Sequence, residues 1–240
     1  MKSITERIVT GAEMKRLDER TIKEHGVPSL VLMERAALAS VEVLHEEGFD
    51  LNYVDVFCGP GNNGGDGIAV ARLLFLAGKD VTIIFVGDPE KRSADTIKQQ
   101  EIAESYGLKA VPFRKELNRL PEDYSSVQND PAQAGSPYAT LADDRPGTIV
   151  DAIFGIGSIR APAGDFLEAI RYINERKKHG TKILSLDVPS GVCADTGNVP
   201  GEAVTADVTV TFAYKKTGLT LPPGVSYAGK IIVKDIGIYI

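Results

Sequence analysis

The sequence predicts an α/β protein, a three-layer α/β/α Rossmann-like fold with a mostly parallel central sheet and N-terminal helices. Three observations carry that expectation. Short apolar runs at 53–57, 81–86, 148–154 and 183–188 alternate with helical stretches at 68–76, 94–106 and 166–177, and strands joined through helices pair in parallel with right-handed crossovers. The runs have the character of strands covered on both faces. The first of them ends in a glycine-rich turn that opens a helix, the position at which α/β sheets place their ligands.

The elements follow in order. Glu13, Met14, Leu17 and Asp18 begin a first helix, and 30–44 carries apolar residues at mixed spacings of three and four, the mark of a second. Gly26-Val27-Pro28-Ser29 breaks the two apart, with Ser29 a candidate N-cap. After the four runs, 208–212 and 230–236 read as strands without a convincing helix between them, so the sheet is expected to finish with shorter crossings. The segment 114–147 is polar, holds Pro121, Pro131, Pro137 and Pro146, and shows no sustained period. So long a connection means a lid, an irregular excursion or disorder.

Composition narrows the function. With 240 residues, 43% hydrophobic and 25% charged, the chain is expected to bury a core and form one domain over 1–240. A net charge of -6 supplies no basic field for nucleic acid or an anionic membrane, although an anionic dinucleotide can still bind through local backbone N–H groups. Only Cys58 and Cys193 are present, in no metal-type spacing, which fits a reducing compartment. No apolar h-region opens the chain and no apolar run approaches the roughly 18 residues of a membrane span; a cytoplasmic protein is expected.

Three loops hold the chemistry. The strand at 53–57 runs into Cys58-Gly59-Pro60-Gly61-Asn62-Asn63-Gly64-Gly65-Asp66-Gly67, and the helix is expected to start near Ile68. Gly59, Gly61 and Gly64 fit G-x-G-x-x-G, in which absent Cβ atoms let the backbone approach a diphosphate at a helix N-terminus. The same glycines also fit a tight turn with no ligand, and Asp66 an N-cap. Asp151 lies in an apolar strand before Gly155-Ile156-Gly157-Ser158-Ile159-Arg160-Ala161. A carboxylate buried there is costly unless it binds a cation, pairs or accepts hydrogen bonds; it either caps a loop or serves a site. Asp187 precedes Val188-Pro189-Ser190-Gly191, as a turn former or as a general acid or base. In a parallel sheet all three loops share the carboxyl edge.

The strings PGNNGGDG at 60–67, DAIFGIG at 151–157 and DVPSG at 187–191 together resemble the YjeF N-terminal family, the NAD(P)HX epimerases. Leu32-Met33-Glu34, Thr211-Phe212, Lys216 and Gly218 add to the likeness, which extends over nearly the whole chain outside 114–147. The resemblance implies an isomerase that interconverts the R and S forms of hydrated NADH and NADPH (NADHX and NADPHX) at C6, so that a partner NAD(P)HX dehydratase can restore the cofactor. It further implies substrate contacts at Asn62, Asn63, Gly64, Gly65 and Asp66, at Gly155, Ile156, Gly157, Ser158, Ile159, Arg160 and Ala161, and at Asp187, which is the expected acid/base. Asn63, Asp151 and Ser190 are implied ligands of a potassium ion, and oxygen ligands suit so hard a cation. A homodimer is expected. Ala37 departs from the family's usual glycine, and Ile156 and Ser158 vary a substrate loop.

Two other readings stand beside it. An NAD-dependent dehydrogenase draws support from the glycine pattern and from Asp88 after the second strand, where a ribose-binding acid often lies. Against it, His25, His45 and His179 all fall in predicted helices or at their ends. A noncatalytic dinucleotide-binding or scaffold module has the same fold, but gives no reason to keep Asn63, Asp66, Asp151, Asp187 and Ser190 together. Lys216 fits either a phosphate contact or the surface.

Overall fold

Seven parallel strands form the centre of the computed structural model, which describes residues 7–113, 147–157 and 160–239. The strands are β2 (Tyr53–Cys58), β3 (Asp80–Phe85), β4 (Ala110–Pro112), β5 (Thr148–Ala152), β6 (Lys182–Leu186), β7 (Val208–Phe212) and β9 (Lys230–Lys234), in the spatial order β4-β3-β2-β5-β6-β7-β9. A separate two-stranded ribbon pairs β1 (Ile8–Val9) with β8 (Lys215–Lys216), matching Val9 to Lys216. The α/β class and the layered parallel sheet are as expected. The reading of 114–147 falls outside the described residues except at Gly147.

Among the described residues five α-helices flank the sheet: α1 (Gly11–Lys23), α2 (Ser29–Glu46), α3 (Asn62–Leu76), α4 (Ala94–Ser105) and α5 (Asp165–Lys178). Period-two alternation in β2 distributes the core. Val54, Val56 and Cys58 pack with Met14, Leu44 and Leu74 of α1, α2 and α3 on one face, while Phe57 meets Ile170 and Ile173 of α5 on the other. Burial of both faces makes the central strands nearly continuous apolar runs. The capping of α1 is local: Thr10 and Glu13 form a capping box, two donors satisfied reciprocally. Ser29 is the first residue of α2 rather than its cap, which is Pro28. No side chain caps that end, and the fixed φ of proline sets the entry.

The start of α3 differs from expectation. The helix begins at Asn62, not near Ile68, so the whole Asn-Asn-Gly-Gly-Asp string is helical and Gly61 is its N-cap. Tertiary contact explains why glycines, poor helix formers in isolation, are helical here. A methyl group on Gly64 would overlap the Gly59 carbonyl oxygen, one on Gly65 would lie 2.7 Å from Met33 Cε, and one on Gly67 would lie 2.5 Å from Ala152 Cβ. The helix is thereby pressed against β2, β5 and α2. Gly64→Ala is expected to destabilise the fold by about 3 kcal/mol, the upper range for overpacking a backbone contact; urea unfolding measures it, and a loss below about 1 kcal/mol contradicts this packing role.

Candidate active site

The strand order sets the place of the site. The chain leaves β2 towards β3 and β4, then returns to β5 on the other side of β2. Crossovers through α3 and α5 therefore leave from adjacent strands to opposite faces, and a crevice opens at their carboxyl ends. A cavity of about 1200 Å³ lies there, lined from this edge by Gly61, Asn62, Asn63, Asp66, Phe154, Gly155 and Asp187. A space of that size exceeds the roughly 300–1,000 Å³ of an ordinary small-molecule pocket.

The first wall is the N-terminus of α3. Gly61 is extended and no side chain caps the helix, which leaves first-turn N–H groups unpaired by any cap. Gly64 and Gly65 N–H donate to Gly61 O at 2.9 and 3.3 Å, and neither lines the cavity. Asn62, Asn63 and Asp66 do. Space beside Gly61 is open where a Cβ would stand. Asp66 is not an N-cap. Its carboxyl is pushed well above the usual range, first by burial and then by the charges of Asp187, Asp18 and Asp95, against a smaller opposite effect of Lys216.

The second wall follows β5. Asp151 is fully buried and accepts from Ser185 Oγ at 2.8 Å, Ser190 N at 2.9 Å, Ser190 Oγ at 2.5 Å and Ile153 N at 3.3 Å. These four donors answer the desolvation that raises its pKa. Ser190 Oγ accepts in turn from Phe154 N at 2.9 Å, and Asn63 Nδ2 donates to Phe154 O at 2.9 Å. Asn63, Asp151 and Ser190 thus converge on the Phe154 peptide, although Asp151 and Ser190 stand behind the cavity wall rather than on it. Gly155, Ile156, Gly157, Arg160 and Ala161 line the cavity; Ser158 and Ile159 fall outside the described residues. Phe154 and Phe166, ring centroids 4.8 Å apart, supply an aromatic surface.

The third wall begins where β6 ends. Asp187 has φ +66°, a left-handed conformation rare outside glycine, held by its N–H donating to Val210 O at 2.7 Å. Strain of about 1 kcal/mol or more persists where surroundings over-determine it. Asp187 Oδ1 lies 2.5 Å from Lys216 Nζ and 3.4 Å from Thr211 Oγ1. Lys216 is 1% exposed and also donates to Phe212 O at 2.8 Å. The surface reading of Lys216 is therefore corrected: it is the buried cation of the site.

Helix α1 adds residues to the cavity that the three loop motifs do not announce. Met14, Lys15, Asp18, Glu19 and Ile22 occupy one helix face and line the cavity. Asp18 carries a pKa pushed up to about 7 by burial first, then by Asp187, with Lys216 acting in the lowering direction. The sequence held a signal, since Met14, Asp18 and Ile22 recur every four residues and put an acid in an apolar stripe. Cys58 is a buried core thiol, raised by burial. Asp88 caps the backbone of Glu90 and pairs with Lys91 at 3.4 Å; neither it nor any of the three histidines is among the cavity-lining residues. No described helix is long and apolar enough to cross a membrane.

Residues 29–218 match the protein family described as YjeF-related protein N-terminus. A protein of Limosilactobacillus reuteri named NAD(P)H-hydrate epimerase is 45% identical over 98% of this chain and 99% of its own length. One of the same name from Weissella koreensis is 44% identical over 96% of this chain and 91% of its own. Among solved structures, the yeast protein YNL200c superposes with a TM-score of 0.73 at 21% identity, covering 98% of this chain and 90% of that one, a likeness of fold.

Proposed function

The chain belongs to the YjeF-related N-terminal family, and from that premise we propose that it is an NAD(P)H-hydrate epimerase, an isomerase interconverting the R and S forms of NADHX and NADPHX. The observation that carries this reading is the opening of Asn63 and Asp187, which stand on different crossovers, into one cavity. The diphosphate rests at the N-terminus of α3, where Gly61 leaves room and first-turn N–H groups carry partial positive charge. The damaged ring lies at the Asp187 end. Its C6 carries a hydroxyl next to the ring nitrogen, so configuration is lost by opening the ring or expelling hydroxide and regained from the other face. Either route moves a proton at oxygen or nitrogen, and Asp187 is the acid/base. The S form then passes to an NAD(P)HX dehydratase.

Chiral chromatography of NADHX mixtures tests the proposal. The protein is expected to speed R-to-S equilibration while leaving intact NADH unoxidised; an equilibration rate no different from buffer, or hydride transfer from NADH, overturns it. The position of Asp88 and the histidines outside the cavity disfavours the dehydrogenase reading. A scaffold would have no use for a buried ion pair aimed into such a cavity.

The donor set around Phe154 fits potassium. Its oxygens are the Phe154 carbonyl and the Ser190 hydroxyl, with Asp151 supplying negative charge through its bond to Ser190, and the Asn63 side-chain carbonyl would join them once its amide, which here donates Nδ2 to Phe154 O, turns over. A cation held by these groups would fix the Phe154 peptide and hence the loop carrying Gly155, Ile156 and Gly157. Exchanging lithium for potassium at equal ionic strength is expected to lower the melting temperature, since a ligand of the native state stabilises it by mass action. Asn63→Ala is expected to abolish that difference. Identical melting in both salts removes potassium from the proposal.

A further inference from the structure

The helix α1 precedes the residues that match the family, yet it is fixed to the reacting end of the cavity. Val9 pairs with Lys216 in the β1/β8 ribbon, and Thr217 Oγ1 donates to Val9 O at 3.1 Å. Gly11, which begins α1, donates to Asp195 Oδ1 and leaves no slack, because a Cβ there would meet Ile156 O at 3.3 Å. One turn beyond Met14, on the same face, Asp18 reaches the cavity lined by Asp187 and Lys216. Resting on the epimerase reading, we propose that Asp18 is a second catalytic residue, the proton donor to the ring nitrogen, working opposite Asp187 as proton acceptor from the ring hydroxyl.

Opening a ring of this type needs both at once. The Asp187 carboxylate takes the hydroxyl proton as the C6–N1 bond breaks, C6 becoming an aldehyde. The bonding pair goes to N1, which takes a proton from Asp18. Rotation presents the other carbonyl face; N1 attacks it, Asp18 recovers its proton and Asp187 returns one to oxygen. Atoms balance, no electron is exchanged, and no co-reactant is needed. Two acids with opposite roles require environments that differ. Asp187 has the Lys216 ammonium at 2.5 Å, whereas burial and the charges of Asp187 and Glu19 keep a proton on Asp18 up to about pH 7, with Lys216 opposing. Lys15, Glu19, Asp66, Asp95 and Arg160 are the other charged groups among the residues that line the cavity.

The test is Asp18→Asn beside the parent protein, with kcat and KM for NADHX epimerisation read by chiral chromatography from pH 5.5 to 9. The variant is expected to lose about 10²-fold in kcat, within the range of a positioned proton-transfer group, with KM nearly unchanged. The parent is expected to lose kcat above about pH 7, as Asp18 gives up its proton, the decline is expected to be absent from the variant, and Asp18→Glu is expected to restore part of the rate. Folding is an independent check. A raised carboxyl withdraws stability as pH rises from the unfolded value near 3.8 to about 7, so Asp18→Asn is expected to melt higher than the parent at pH 8 and equally at pH 4. A variant with parental kcat and an intact alkaline decline overturns the role of Asp18 and leaves the epimerase standing. A parent protein that does not accelerate epimerisation overturns the epimerase reading first.

Discussion

Asp187→Asn is expected to lower kcat for NADHX epimerisation about 10³-fold, inside the 10²–10⁴ that a positioned acid or base contributes. The substitution is nearly isosteric, and asparagine tolerates the left-handed backbone at φ +66° as aspartate does. Its amide oxygen can still accept from Thr211 Oγ1, which lies 3.4 Å from Oδ1. What it loses is the ability to hold the hydroxyl proton and the negative charge beside Lys216. The kcat and kcat/KM values should therefore fall together, the pattern of an interaction made only in the transition state. Lys216 keeps its bond to Phe212 O but becomes a buried cation without a counter-charge, so about 3 kcal/mol of stability is expected to go with the activity. A folded Asp187→Asn protein that epimerises at the parental rate removes Asp187 from the chemistry.

The parts of this site that sequence reveals are those encoded locally. Strands β2, β3, β5 and β6 announce themselves because burial on both faces makes them continuous apolar runs, and their carboxyl ends carry Asn63, Asp151 and Asp187 in short, specific strings. Strand β4, three residues ending in Pro112 at the sheet edge, is too short for any period to show. The two-residue strands β1 and β8 exist only because distant segments pair. The onset of α3 is hidden in the sequence because glycine propensity points away from helix, while the backbone approach of Gly64 to Gly59, a tertiary contact, decides for it. Lys216 was ambiguous for the same reason: nothing near it in sequence announces the ion pair with Asp187, which folding alone creates.

Because that pair is buried, Lys216→Met is expected to have the largest effect on stability, about 4 kcal/mol at neutral pH, the range for removing one partner of a buried pair. The methionine fills much of the aliphatic stem but leaves Asp187 uncompensated and frees the Phe212 carbonyl. The loss should also depend on pH in a definite direction. Lys216 lowers the pKa values of Asp18 and Asp66 against burial, so without it both rise further. A carboxyl whose folded pKa is raised contributes fully to stability below its unfolded value, near 3.8, and the contribution is lost as pH climbs to the folded pKa. For Asp18 the parent completes that loss near pH 7, whereas the variant continues to lose stability above it. The difference between parent and Lys216→Met in urea unfolding should therefore widen from pH 7 to pH 9. A gap that narrows over that interval, or a variant as stable as the parent at neutral pH, means that Lys216 does not compensate this acid cluster and that Asp187 and Asp18 owe their opposed roles to something else.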